Sequence, residues 1–122
     1  MADWQTQLQT PAARRYVPIP KHGGSPTQGR RGTVMDLAFG EAVEALCAAV
    51  YDPALPAGGK APSLWGYRDG KVYRFMWDNA GGWHGYPADE KPPNAVLQQW
   101  RQNGTISEAE YGKVRRYPNR GS

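Results

Sequence analysis

The sequence predicts an α+β domain: an N-terminal helix, a three- or four-stranded antiparallel meander and two short C-terminal helices. Asp69-Gly70 lies between two aromatic-rich runs and is typical of a two-residue type I′ hairpin. Apolar residues at helical spacing precede this hairpin, and a Ser-x-x-Glu capping-box pattern follows it. These three observations place helices before and after a small antiparallel sheet.

Length and composition indicate one small domain with an aromatic core. A chain of 122 residues has the length of a single domain. Isoleucine, leucine, valine and phenylalanine total only 17 residues, which is low enough to raise the question of disorder. Five tryptophans and seven tyrosines supply much of the missing apolar area, because each can bury ~150–250 Å². Half of all the aromatic residues lie between Leu64 and Pro87, which predicts an ordered C-terminal half.

The N-terminal part reads as an arm. Prolines and glycines recur through residues 11–32, and we expect them to prevent helix and to discourage regular strand. Residues 1–32 are therefore predicted to form an extended, basic, Pro/Gly-rich arm, which threads over the surface or stays mobile until a partner arrives. Residues 33–122 are predicted to form a single compact α+β domain.

A first helix is predicted from about Thr33 or Asp36 to Val50. The Thr33 and Asp36 pair has the spacing of a capping box, and Asp52-Pro53 ends the helix because the residue before proline avoids helical geometry. The apolar residues at helical spacing predict the buried face. They are Phe39, Val43, Leu46, Cys47 and Val50.

A two-residue turn at Asp69-Gly70 determines the pairing of the first two strands. It places Tyr67 opposite Val72, Gly66 opposite Tyr73 and Trp65 opposite Arg74. Tyr73, Phe75 and Trp77 then share one strand face, which is expected to point inward. Residues 78–82 make a second turn, and a third strand begins at Trp83.

Two short helices are predicted after the sheet. Pro92-Pro93 suits a helix start, and Asn103-Gly104 is a good helix end. Ser107 and Glu110 form a capping box for the last helix. The apolar stripe of the first of these helices is Val96, Leu97 and Trp100, and the staple of the second is Ile106 with Tyr111.

Several function classes are disfavoured by the sequence. One cysteine, Cys47, excludes an intrachain disulfide and a multi-cysteine metal site, and its apolar neighbours favour a buried, inert thiol. Neither histidine has regular metal-ligand spacing, so no metal and no cofactor are expected. The sequence has no long apolar run and no secretory leader. We therefore expect no membrane insertion, no signal peptide and a cytoplasmic site of action.

The formal net charge of +4 is unevenly distributed. Residues 11–35 and 111–120 carry bases without acids, whereas residues 36–52 carry acids without bases. This pattern favours RNA or another polyanion as a partner, or an acidic partner protein such as an immunity protein. The alternative is an ordinary solvated surface of mixed sign.

His84 and His22 are the candidate acid–base residues. Asp78 precedes His84 by six residues across the second turn, where its carboxylate could orient the imidazole as a general base. His22 follows Lys21, which could stabilise an anion while the next two glycines let backbone N–H groups approach it. The alternatives are a partly buried structural His84 and a solvated His22.

Cations are interleaved with the aromatic residues of the hairpin. Arg68, Lys71 and Arg74 alternate with tyrosines and tryptophans, as on a base-stacking platform edged with phosphate-binding charge. The alternative is that the aromatic residues serve the core of the sheet.

Three segments resemble the C-terminal toxin modules of bacterial polymorphic and contact-dependent toxins. They are Pro20-Lys21-His22-Gly23, the strand from Lys71 to Asp78, and Gly82-Trp83-His84-Gly85-Tyr86-Pro87. The strand is also similar to a Lys-x-Tyr-x-Trp-Asp strand of ribosome-cleaving colicin nucleases. That resemblance transfers only Asp78, because the histidine and glutamate that follow in those nucleases have no counterpart here. His84 would replace that histidine from a shifted position.

The resulting hypothesis is a bacterial toxin or effector domain that acts as a metal-independent ribonuclease. His84 is the base, His22 or Tyr86 the acid, and Asp78 the residue that orients His84. Lys71 and Arg74 would clamp the phosphate, with Lys21 and Arg68 as further phosphate-binding residues. The alternative is a non-catalytic protein- or nucleic-acid-binding module, such as an immunity, phage-encoded or adaptor protein.

Overall fold

The computed structural model describes residues 4–18, 35–54, 59–88 and 90–116. It has the predicted α+β arrangement of a helical N-terminal part, a three-stranded antiparallel sheet and two C-terminal helices. A short 3₁₀ helix spans Pro11–Ala13. The helices are α1 (Trp4–Gln9), α2 (Phe39–Ala48), α3 (Asn94–Asn103) and α4 (Glu108–Arg116), and the strands are β1 (Leu64–Arg68), β2 (Lys71–Trp77) and β3 (Trp83–Pro87).

The β1–β2 hairpin has the predicted turn and register. Asp69 has a φ of 52° and Gly70 a φ of 81°, and a type I′ turn requires positive φ at both positions. Trp65 lies opposite Arg74, as predicted, and the other pairs of the hairpin follow the same register. The sheet order is β1-β2-β3, so each strand pairs with its neighbour in sequence.

Both edges of the sheet are covered by short extended segments. Val50, just after α2, exchanges two backbone hydrogen bonds with Trp65 on β1. On the opposite edge, the Val17 N–H donates to Trp83 O at 2.9 Å, and the Trp83 N–H donates to Arg15 O at 2.9 Å. These bonds satisfy part of the edge backbone that an open sheet would leave unpaired.

Helices pack on both faces of the sheet. Phe75 and Trp83 are fully buried on one face against α1 and α2. On the other face Val72 is fully buried, where it belongs to a second core that includes Trp100 of α3. The predicted inward face is observed for Tyr73 and Phe75, whereas Trp77 of the same face is only partly buried. Each face therefore contributes to a core.

Residues 4–18 differ from the expectation of an arm without helix. The prolines begin only at Pro11, so nothing in residues 4–9 prevents α1 from forming. Trp4 and Leu8 of this helix are buried in the core beneath the sheet, together with Tyr16. These residues are thus part of the packed domain. The remainder of the predicted arm, residues 1–3 and 19–32, lies outside the described residues.

Helix α2 begins later than predicted, and of its buried residues only Leu46 belongs to the predicted face. Its buried residues are Ala42, Ala45 and Leu46, whereas Phe39 is 59% exposed. A Cβ added at Gly66 of β1 would lie 3.3 Å from Ala45 O, so helix and strand approach closely. Small side chains permit that approach, and the helix therefore turns its alanines toward the sheet.

The N-terminus of α2 is not capped by the predicted pair, Thr33 and Asp36. The Glu41 carboxylate accepts a hydrogen bond from the Ala38 N–H at 3.2 Å. Thr33 lies outside the described residues, and Asp36 instead accepts hydrogen bonds from Lys71 and Tyr73.

Helix α3 ends, and helix α4 begins, at the residues predicted from the sequence. Gly104 follows α3 in the left-handed conformation, with a φ of 82°. Before α4, Ser107 Oγ accepts from the Glu110 N–H at 3.1 Å, and Glu110 Oε1 accepts from the Ser107 N–H at 2.7 Å. This is a complete capping box. No helix of the described residues is long and apolar enough to span a membrane.

The Ser107→Ala variant is expected to lose about 0.5–2 kcal/mol of folding stability, because it removes the acceptor that satisfies the Glu110 N–H. Ser107→Asp keeps a side-chain acceptor and serves as the control, with stability near that of the wild type. Urea denaturation followed by tryptophan fluorescence measures both variants. Equal midpoints for the wild type and Ser107→Ala would contradict a stabilising role for this cap.

Candidate functional site

The face of the sheet that carries Val72 is covered by α3 and α4 near Val72 and Trp65. Beyond that cover, Arg74 lies opposite Tyr86 and Met76 lies opposite His84. Met76 is 42% exposed, and the other three are partly exposed. We call these four residues the open sheet face. It brings together three of the residues singled out from the sequence: Arg74, His84 and Tyr86.

The His84 ring is oriented by a backbone carbonyl. Nδ1 lies 2.9 Å from Val17 O. A carbonyl oxygen only accepts hydrogen bonds, so in the neutral ring Nδ1 carries the proton and Nε2 carries the lone pair. Within the described residues, Nε2 has no hydrogen-bond partner. The ring therefore has the tautomer that a general base needs.

Asp78 closes the β2–β3 turn. Its Oδ1 accepts hydrogen bonds from the Ala80 N–H at 2.7 Å and the Gly82 N–H at 2.9 Å. Burial opposes ionisation, but these backbone donors outweigh it and lower the pKa of Asp78, with a further electrostatic contribution from His84. Asp78 thus lies in the electrostatic range of His84. Asp78 was expected to orient the His84 ring, but the hydrogen bond that orients it is accepted by Val17 O.

Arg74 is held on three sides. Its Nε donates to Ser63 Oγ at 2.8 Å, and its Nη1 donates to Glu90 Oε2 at 2.6 Å. The guanidinium also lies over the Trp65 ring, 5.1 Å from the centroid. A guanidinium has five N–H donors, so these contacts position the group and leave donors for an anion.

Tyr86 shares the Glu90 carboxylate with Arg74. Its hydroxyl donates to Glu90 Oε2 at 3.2 Å. Burial raises the pKa of Tyr86; Arg74 opposes this rise, and Glu90 reinforces it. Burial also opposes ionisation of Glu90, but its own backbone N–H and Arg74 outweigh burial and lower the pKa of that carboxyl. At neutral pH Tyr86 is therefore a protonated donor beside an ionised Glu90.

The other predicted phosphate-binding residues do not join this face. Lys71 precedes Arg74 by three residues on β2, so the two side chains leave opposite faces of the strand. Lys71 Nζ lies 2.8 Å from Asp36 Oδ2, and Arg68 Nη1 lies 3.0 Å from Glu44 Oε1. Each therefore neutralises a carboxylate. Lys21 and His22 lie outside the described residues.

Three groups that contact this site were not predicted: the Val17 carbonyl, the Ser63 hydroxyl and the Glu90 carboxylate. They reach the open sheet face from segments that flank the strands, and no local pattern in the sequence marks them. The pairing of Arg74 with Tyr86, in contrast, is predictable from the sequence. If residues 78–82 form a turn that places Trp77 opposite Trp83, the same register places Arg74 opposite Tyr86.

In the described part of the chain, no three His, Cys, Asp or Glu side chains are placed to hold a metal ion. Comparison with known proteins found no matching family model, no similar curated protein and no similar solved structure. The chemistry of the open sheet face is accordingly the basis for the functional argument.

Proposed function

We propose that the chain is a metal-independent ribonuclease that acts at the open sheet face. One observation carries the proposal: His84, whose Nε2 has no hydrogen-bond partner among the described residues, shares one accessible surface with a tyrosine hydroxyl and an arginine. RNA cleavage without a metal needs a base, a proton donor and a cation on the phosphate. Residues of these three kinds lie on the adjacent strands β2 and β3.

In this mechanism His84 Nε2 removes the proton of a ribose 2′-hydroxyl. The 2′-oxygen attacks phosphorus, and the bond between phosphorus and the 5′-oxygen breaks. The leaving oxygen takes a proton from the Tyr86 hydroxyl, which leaves a 2′,3′-cyclic phosphate and a free 5′-hydroxyl. His84 and Tyr86 are two residues apart on β3, so they lie on the same face of the strand, ~7 Å apart along it. This spacing lets one phosphate group contact both side chains.

Arg74 supplies the positive charge. As the phosphorane forms, its equatorial oxygens gain negative charge, and a fixed guanidinium stabilises that charge without reorganising. Ser63, Glu90 and Trp65 hold Arg74 in place before substrate arrives. Glu90 thus acts as a positioning residue for Arg74 and Tyr86 in this scheme.

The biological setting that we propose is a bacterial toxin or effector with a cytoplasmic site of action. The resemblance to toxin modules and the net charge of +4 support it. An acidic immunity protein would then be the natural partner, because it complements a basic nuclease. Its binding should protect RNA from the enzyme.

The direct test is incubation of the purified protein with a short single-stranded RNA in excess EDTA. We expect cleavage that leaves 2′,3′-cyclic phosphate ends, measured by mass spectrometry of the products. The matched control is the same oligonucleotide with 2′-O-methyl riboses, which lack the attacking hydroxyl and should remain intact. Intact RNA after prolonged incubation, or cleavage of the methylated control, would contradict the mechanism.

A non-catalytic binding module is the second candidate. It is favoured by the ion pair of Arg74 with Glu90, which also accepts a hydrogen bond from Tyr86. This pairing offsets the charge of Arg74 next to the exposed apolar side chain of Met76. In that case the protein binds its partner through the open sheet face and cleaves nothing. The incubation described above separates the two candidates, since only a ribonuclease yields cyclic phosphate ends.

A further inference from the structure

The basic residues of the sheet and those of α4 differ in their partners. Those of the sheet are paired: Lys71 with Asp36, and Arg74 with Glu90. Arg68 is likewise paired with Glu44. The last turn of α4 differs, because its basic residues form no ion pair with any carboxylate of the described residues. They are Lys113, Arg115 and Arg116.

The packing of α4 turns these three cations outward. Val114 is buried against the second core, so the opposite side of the helix faces solvent. Lys113, Arg115 and Arg116 are all exposed. Arg115 is held over the Tyr111 ring, 5.5 Å from its centroid. The cations thus occupy a defined, solvent-facing surface.

The middle of this surface has no bulky side chain. A Cβ added at Gly112 would meet nothing within 4 Å, so the space in front of the helix backbone is open there. Glu108, the acid on the same side of the helix, is held by Arg101 with an N–O distance of 3.0 Å. A linear polyanion can therefore approach α4 closely, because the charge of Glu108 is already paired with Arg101.

We propose that the basic face of α4, formed by Lys113, Arg115 and Arg116, binds the sugar-phosphate backbone of single-stranded RNA. The choice of RNA as the polyanion rests on the proposed function. Helices α3 and α4 pack on the same face of the sheet that carries the open sheet face. An RNA strand held on α4 therefore lies on the side of the sheet where His84 is partly exposed.

Stabilisation of the helix dipole is the competing explanation for these cations. Basic residues in the last turn of a helix stabilise it with no ligand at all. The two explanations differ in a measurable quantity. A phosphate contact contributes ~0.7 to the slope of log affinity against log salt for single strands, whereas a helix-stabilising charge contributes nothing to that slope.

The test measures binding of a fluorescent 2′-O-methyl RNA oligonucleotide by anisotropy over a series of salt concentrations. The Lys113→Gln/Arg116→Gln double variant is expected to lower the salt slope by about 1.4 and to weaken binding ~25-fold at 0.1 M salt. The charge-preserving variant Lys113→Arg/Arg116→Lys should bind like the wild type. Lys60→Gln removes an exposed charge elsewhere and should leave the slope unchanged.

An unchanged slope for the double variant, or an equal loss for Lys60→Gln, would overturn the proposal. Binding of polyglutamate with no binding of the oligonucleotide would also overturn it and would indicate an acidic protein partner. The 2′-O-methyl probe cannot be cleaved, so the result does not depend on catalysis. Binding through α4 without cleavage of unmodified RNA would reject the ribonuclease alone.

Discussion

The His84→Ala variant is expected to cleave RNA about 10²–10⁴-fold more slowly than the wild type, the range typical for loss of a general base. The reason is specific to the ring geometry. Nδ1 is held by Val17 O, so the base of the proposed mechanism is Nε2, and alanine removes it. Initial rates of oligonucleotide cleavage at saturating RNA measure this effect as a change in kcat.

His84→Asn separates catalysis from structure. The amide N–H of asparagine can still donate to Val17 O, so the variant can keep the contact that ties residue 17 to β3. We expect wild-type thermal stability with the same large loss of rate. His84→Ala, in contrast, also loses that hydrogen bond, at a cost of about 1 kcal/mol. Cleavage at the wild-type rate by both variants would rule out His84 as the base.

Asp78→Asn tests which group orients His84. Asparagine keeps the Oδ1 acceptor for the Ala80 and Gly82 N–H groups, so the turn is retained. Because Val17 O already orients the imidazole, we expect a rate within a few-fold of the wild type. A loss of cleavage rate as large as that of His84→Ala would indicate that Asp78, and not Val17, orients His84.

The Arg14→Met variant is expected to lose about 3 kcal/mol of folding stability, because it leaves buried carbonyl groups without donors. Arg14 is only 7% exposed. Its Nη1 donates to Leu46 O at 2.9 Å and Ala49 O at 2.8 Å, and its Nε donates to Gln7 O at 3.0 Å. One side chain therefore caps the ends of both α1 and α2. Methionine has similar length and no donor.

Arg15 provides the matched control for this prediction. It is the neighbouring residue, carries the same charge and is exposed. Arg15→Met should change stability by no more than about 0.5 kcal/mol. Guanidinium denaturation of both variants gives the comparison, since both remove one positive charge. Equal losses for Arg14→Met and Arg15→Met would contradict a structural role for Arg14.

Most of the sheet and the last two helices could be predicted because their signals are local. Asp69-Gly70 determines a turn by its own backbone preferences, and the turn then determines the register of β1 and β2. Ser107 and Glu110 satisfy each other across three residues. In each case the interacting groups are neighbours in sequence, so pattern and structure agree.

Helix α2 shows where periodicity becomes ambiguous. The largest apolar side chains predicted the buried face, yet Phe39 is exposed and Ala42 is fully buried. The distance between helix and sheet decided this outcome, and Gly66 permits a spacing that only small side chains fit. Such a spacing is a property of two segments together, and neither segment encodes it alone.

The meander, its first turn and the capped helices that follow can be read from the chain, because they depend on contacts between near neighbours. The role of Arg14 as a buried helix cap and the contact of Val17 with His84 arise only when distant segments pack together. The same packing pairs Lys71 with Asp36 and brings Glu90 to Arg74. Each of these contacts joins residues at least 16 positions apart, and at that separation side-chain chemistry permits many partners. Packing against the sheet selects among them.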